Sequence, residues 1–124
     1  LVRAQKLQNK ASKVGFDWRH ANDVIEKVFE EIDEITFELE NNAETSRLED
    51  EIGDLLFTVT NLARKLQIDA DTAMRKANTK FEKRFRIMEH RVKSDNLDME
   101  LLGPQDLDSY WLTAKRLFEK HNDQ

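Results

Sequence analysis

Between Asn22 and Val92 the chain meets one glycine, Gly53, and no proline, while large apolar residues recur three and four positions apart. Such a run has few places to turn back as a sheet must, and its period is that of a helix face. The whole sequence holds three glycines and one proline in 124 residues. An all-α protein is the fold this pattern specifies. Hydrophobic residues at 39% against 36% charged suit long amphipathic helices with charged outer faces. The length is that of a single domain, 1–124. With Leu1 rather than Met at its start, the chain reads as a fragment of a longer protein.

The periodicity predicts a bundle of four main helices and a C-terminal one. The first covers residues 2–14 or so and stops near Gly15. The connector Gly15-Phe16-Asp17-Trp18 carries two large aromatics, which suit packing onto the bundle better than a plain loop. Asn22 or Asp23 caps a second helix that ends near Glu40, with Ile25, Val28, Phe29, Ile32, Ile35 and Leu39 as its core stripe. Thr45 or Ser46 caps a third, over about 47–66, that buries Leu48, Ile52, Leu55, Val59, Leu62 and Leu66. A turn at residues 68–71 leads into a fourth that ends near Val92, with Met74, Ala77, Phe81, Phe85, Met88 and Val92 inward. Gly103-Pro104 opens the last. Phe37 and Phe57 lie nearly opposite the apolar stripes of their helices, each three residues after an acid. A large apolar group on an acidic face implies that something covers it, most simply a second subunit, so a homodimer is expected.

A net charge of −5 hides a division. Residues 20–54 hold thirteen acids against Lys27 and Arg47, and residues 75–93 hold eight bases against Glu82 and Glu89. That pairing suits a cation held beside a polyanion, or simply solvated faces that attract each other. The informative acids are Glu30-Glu31-x-x-Glu34 and Glu51-x-x-Asp54. Positions three apart on a helix share a face, so two such helices side by side present Glu31, Glu34, Glu51 and Asp54 around one point. Four carboxylates so close need protonation or a cation between them, and an all-oxygen donor set suits a hard ion such as Mg²⁺. Gly53 sits between two of these acids, where a helix-interior glycine costs about 1 kcal/mol relative to Ala. It suggests a close approach by something else.

These residues, in this order, resemble the signature of the MazG nucleotide pyrophosphohydrolases. Lys27-Val28-Phe29-Glu30-Glu31 resembles the start of the family's first acidic motif, and Glu51-Ile52-Gly53-Asp54-Leu55-Leu56-Phe57 its second. Asn78-x-Lys80-Phe81-Glu82-Lys83-Arg84-Phe85 resembles its basic helix, and Gly15-Phe16-Asp17-Trp18 the segment before its second helix. Trp111 falls where a late aromatic is expected. The likeness covers nearly the whole chain and is greatest to the C-terminal catalytic half of two-domain bacterial MazG proteins. Lys83 is a departure, standing where arginine is common; it keeps the charge and loses the bidentate fork.

The resemblance implies a MazG-like, all-α NTP pyrophosphatase that splits nucleoside triphosphates (NTP or dNTP) into NMP and pyrophosphate. Glu31, Glu34, Glu51 and Asp54 would bind Mg²⁺, with Mn²⁺ able to substitute. Glu30, beside Glu31 and Glu34, would orient the attacking water or contact the nucleotide, or is a plain surface acid. Lys80, Lys83 and Arg84 would meet phosphate oxygens; Lys27 and Arg47 would do the same or pair with neighbouring acids. Phe81 and Trp111 would contact the nucleotide or serve as packing. The metal and phosphate ligands are common to all NTPs, so broad base selectivity follows.

Other classes fit poorly. No cysteine is present, which removes disulfides and thiolate metal sites. No apolar run approaches a membrane span, and the N-terminus has no signal-peptide pattern, so a cytoplasmic protein without a membrane partner is expected. No His stands three residues after a Glu, as the ligand pairs of a carboxylate-bridged di-iron bundle require. A nucleic-acid partner is not expected of an acidic chain whose bases gather mainly on one helix. A non-catalytic helical interaction module is the remaining alternative.

Overall fold

The computed structural model describes residues 1–122. It contains helices α1 (Val2–Lys13), α2 (Ala21–Glu40), α3 (Thr45–Lys65), α4 (Ala70–Ser94) and α5 (Pro104–Asn122), with a 3₁₀ turn at Met99–Leu101. Among the described residues there is no strand. The all-α expectation holds. The chain forms two compact units, Leu1–Ala73 and the segment from Met74 onward.

In the first unit the stops follow one rule. Gly15, Asn42 and Gln67 adopt positive φ just past α1, α2 and α3. After each, the next amide turns back on the helix end: Phe16 donates to Ala11 at 3.1 Å, Ala43 to Glu38 at 3.0 Å and Ile68 to Ala63 at 2.8 Å. This six-residue closure satisfies carbonyls that would otherwise be orphaned. Gly15, at φ 88°, takes up the left-handed geometry without steric cost. The starts differ from expectation by one to three residues. His20 and Glu44 are the N-caps, neither with a side-chain bond, in place of Asn22 or Asp23 and Thr45 or Ser46. Helix ends are the least determined part of such a pattern.

Helices α2 and α3 pair along their length. The face of α2 buried in that pairing carries Val24, Glu31 and Glu38, seven residues apart. Of the stripe expected inside, Ile25, Phe29, Ile32 and Leu39 are exposed, and so are Ile52 and Val59 on α3 and Leu66 at its C-terminal cap. The two helices meet through the side that holds acids, and their most apolar sides face outward. Helix α1 packs on α3 through polar groups. The Gln8 amide donates to the Phe57 carbonyl at 2.8 Å, while Gln5 brackets the turn before α4 with bonds to Ile68 and Ala70.

The aromatic connector is pinned by charge. Arg64 of α3 grips both oxygens of Asp17, with Nη1 3.2 Å from Oδ2 and Nη2 on Oδ1, and Lys65 adds a contact at 3.5 Å. The Arg64 hydrogen bond, against partial desolvation, holds the Asp17 carboxyl below the usual carboxylate range. A lowered folded value contributes stability that is complete above the ordinary pKa of about 3.9 and disappears as pH falls through the lowered one. Asp17→Asn is therefore expected to cost about 1 kcal/mol at neutral pH, the modest figure reflecting a partly exposed pair. Denaturant melts across pH check it: the gap between wild type and variant should close below about pH 4.

In the second unit the remainder of α4 buries Met88 and Val92, and α5 buries Ala114. Tyr110 on α5 donates its hydroxyl to Asp95, past the end of α4, at 2.5 Å. Asp98 caps the 3₁₀ turn by accepting from the Glu100 amide at 3.1 Å. Pro104 begins α5 at a position where no amide hydrogen is needed.

Candidate functional site

The antiparallel pairing of α2 and α3 brings the two acidic motifs together. One carboxylate oxygen from each of Glu31, Glu51 and Asp54 lies within 4.8 Å of the others. Glu31 is buried, Glu51 half-buried and Asp54 exposed, so the cluster opens from the helix interface toward solvent. Glu34, which is not part of that group of three, is near enough to act on the Glu51 carboxyl. Burial of the Glu51 carboxyl raises its pKa first, and the charges of Glu34, Asp54 and Glu31 raise it further. One oxygen each of Glu31 and Glu51 is buried without a hydrogen-bond partner. Negative oxygens left unpaired and mutually repelling are what a divalent cation would satisfy. The donor set, all carboxylate, fits a hard ion.

Basic residues flank this cluster. Lys27, one turn before Glu31, lies 3.2 Å from Glu30 and 3.4 Å from Glu31. Its ammonium is held above the ordinary range, first by Glu30 and then, against its own partial burial, by Glu31. Glu30 itself is exposed. Arg47, at the start of α3, puts Nε 2.8 Å from buried Glu38 and borders a pocket shared with Glu34, Phe37 and Glu51. Gly53 borders a neighbouring recess with Asp50 and Asp54. A Cβ added there would meet nothing within 4 Å, so no part of the chain itself makes the close approach that its glycine suggests.

The second unit gathers the remaining candidates. Lys80 and Lys83 are exposed on α4. Phe81, also exposed, stacks on Phe85 and tilts against Trp111 with centroids 5.4 Å apart. The Arg84 guanidinium lies 5.1 Å over the Phe118 ring and 3.7 Å from Glu119, with its Nε buried and unpaired. The Phe81–Trp111 contact gives both rings a packing role.

Residues 19–88 match the family described as the MazG nucleotide pyrophosphohydrolase domain. The chain belongs to this family. Its MazG segment takes in α2, α3 and most of α4, and so every acid of the cluster together with Lys80, Phe81, Lys83 and Arg84. It is 44% identical over 117 residues to the nucleoside triphosphate pyrophosphohydrolase of Escherichia coli K12, covering 94% of this chain and 44% of that protein. Identity is also 44%, over 115 residues, to the nucleoside triphosphate pyrophosphohydrolase/pyrophosphatase MazG of Thermotoga maritima, covering 93% of this chain and 44% of that one. The chain thus spans less than half the length of the MazG relatives it matches.

Three residues at or near this MazG site are not evident from the sequence. Glu38 is buried and orients Arg47; its one signal is its place seven residues after Glu31, on the same helix face. Asp17 and Arg64 pair across 47 positions, and no local pattern announces such a contact. No helix is long and apolar enough to cross a membrane among the described residues.

Proposed function

We propose that this chain is a single catalytic domain that hydrolyses nucleoside triphosphates, ribo or deoxy, to NMP and pyrophosphate in a Mg²⁺-dependent reaction. The observation that carries the reading is the convergence of Glu31, Glu51 and Asp54 within 4.8 Å, with Glu34 beside them. These four would hold the cation, with Mn²⁺ able to replace Mg²⁺. When bound, the ion would neutralise phosphate charge and make a water acidic enough to act as nucleophile.

The chain's own groups supply the rest. Glu30 is exposed, with one carboxylate oxygen engaging Lys27, and would orient the water and take its proton or contact the nucleotide. The water oxygen bonds to phosphorus as the bridging P–O bond between the α- and β-phosphates breaks, and the bridging oxygen leaves with pyrophosphate. Lys27 and Arg47 are each held by a carboxylate, so little side-chain freedom is lost when they meet phosphate. Lys80, Lys83 and Arg84 would add donors for charge on the leaving group, and Phe81 with Trp111 an aromatic surface for the nucleotide. The setting we propose is the cytoplasm, as a homodimer formed through the exposed apolar sides of α2 and α3.

The test is incubation with a panel of NTPs and dNTPs, with and without Mg²⁺, and chromatographic separation of products. NMP with pyrophosphate, only when the cation is present, is the expected result. NDP with phosphate, or no turnover with Mg²⁺ or Mn²⁺, would overturn the proposal.

A further inference from the structure

One turn beyond the acids, the pairing of α2 and α3 brings together an acid and a base. Glu38 follows Glu34 by four residues on α2, and Arg47 precedes Glu51 by four on α3. In two antiparallel helices those steps run the same way, so Glu38 and Arg47 make the next rung after Glu34 and Glu51. At 1.5 Å of rise per residue, the two rungs lie about 6 Å apart along the axis. Arg47 Nε donates to Glu38 Oε1 at 2.8 Å. The pocket that Arg47 borders, about 480 Å³, is also lined by Asp33, Glu34, Phe37 and Glu51. The guanidinium therefore stands at the edge of the acid cluster.

As a fastening for the turn between α2 and α3, this pair does little. The Glu38 side chain is 11% exposed and that of Arg47 68%. Taking a carboxylate out of water is costly, and a partner that stays in water offsets little of that cost. The turn also has its own closure in the backbone, where the Ala43 amide donates to the Glu38 carbonyl. What the arrangement does provide is direction. Glu38 lies in the helix interface on the same face as Glu31, so packing holds its carboxylate in place. It takes the Nε–H of Arg47. Among the described residues neither Nη1 nor Nη2 has an acceptor. Two coplanar NH₂ groups match two oxygens of one phosphate.

We infer that Glu38 is a positioning residue for substrate phosphate: its buried carboxylate holds the Arg47 guanidinium so that Nη1 and Nη2 meet a phosphate whose neighbour is bound at the acids one rung away. The inference rests on the nucleotide reading of the acid cluster and adds to it a residue that does not touch the nucleotide. The arrangement selects a fork rather than a charge. A lysine at position 47 has one nitrogen, and Glu38 would engage it.

A double-mutant cycle tests this, read as calorimetric binding of adenosine α,β-methylene triphosphate in Mg²⁺. Glu38→Met should weaken binding about tenfold in the wild-type background and less than about twofold in Arg47→Met, because Glu38 reaches the nucleotide through Arg47. Glu38→Gln keeps an acceptor oxygen and should recover most of the loss. A residue that only held the fold together would weaken binding equally in both backgrounds, and that result overturns the inference. If Glu38→Met does not fold, Arg47→Lys decides, since its side chain is exposed. It should bind about as weakly as Arg47→Met, and wild-type affinity in the lysine variant overturns the inference. Failure of the wild type to bind the analogue does so too. Cleavage of ATP without coupling between Glu38 and Arg47 removes the positioning role and keeps the catalytic reading. Coupled binding in a wild type that cleaves no triphosphate supports the positioning role and removes the catalytic reading.

Discussion

Glu51→Gln is expected to lower cation-dependent turnover by about a hundredfold or more while raising the melting temperature of the cation-free protein. Both effects have one cause. The Glu51 carboxyl is half-buried, and burial together with Glu34, Asp54 and Glu31 disfavours its charged form. Glutamine keeps the shape, removes one negative charge from the cluster and brings an amide that can donate to the remaining carboxylates. Without a cation this relieves repulsion that the wild type carries at neutral pH. With a cation the order reverses, since the wild type gains RT ln(1 + [M]/Kd) from binding and the variant has lost a ligand. Thermal melts with and without Mg²⁺, alongside the turnover assay, read both halves. A variant that melts no higher than wild type without cation, yet stays active with it, would show that Glu51 is an ordinary surface acid.

The acids were readable because their signal is local. Two residues three apart on a helix share a face whatever the rest of the chain does, and Glu31 with Glu34, then Glu51 with Asp54, needed only their helices to pair. The side on which they pair was not readable in the same way. Hydropathy marks Ile25, Phe29, Ile32 and Leu39 as a stripe that needs cover, and it says nothing of what provides the cover. In the fold the cover is not α3, which instead meets Val24, Glu31 and Glu38. A helix that must present acids to one neighbour and apolar groups to another carries two faces, and a single-chain core is the simpler assumption. Gln8 was invisible for another reason. Its part in holding α1 on α3 depends on one bond to a residue 49 positions away. Nothing near Gln8 in sequence distinguishes it from Gln5, which spends both ends of its amide on the turn before α4.

Ile32→Asp is expected to turn a dimer into a monomer. The exposed apolar residues repeat at seven-residue intervals along both paired helices, as Ile25, Ile32 and Leu39 on α2 and as Ile52 and Val59 on α3 with Leu66 at its C-terminal cap; Phe29 is also outward on α2. Two seams of this kind, side by side on a helical hairpin, match the surface that closes a four-helix arrangement when a second hairpin docks about a two-fold axis. The opposite sides of α2 and α3, which carry Phe37 and Phe57, were the expected place for the partner. Phe37 and Phe57 are both exposed there, Phe57 also lining a pocket beside Gln8, and the longer run of exposed apolar residues is on the other side. Burying an Ile is worth about 1.5–3 kcal/mol, and symmetry counts each position twice. An aspartate there loses that gain and must bring a charge into an apolar contact, so association should weaken by roughly a thousandfold or more. Light scattering after size exclusion should give twice the chain mass for the wild type and the single-chain mass for the variant. A wild type that runs as a monomer would sink the dimer. Because Glu31, Glu51 and Asp54 belong to one chain, the monomeric variant should still be stabilised by Mg²⁺. If it is not, the acid cluster depends on the partner to hold α2 against α3, and assembly is then a condition of the site itself.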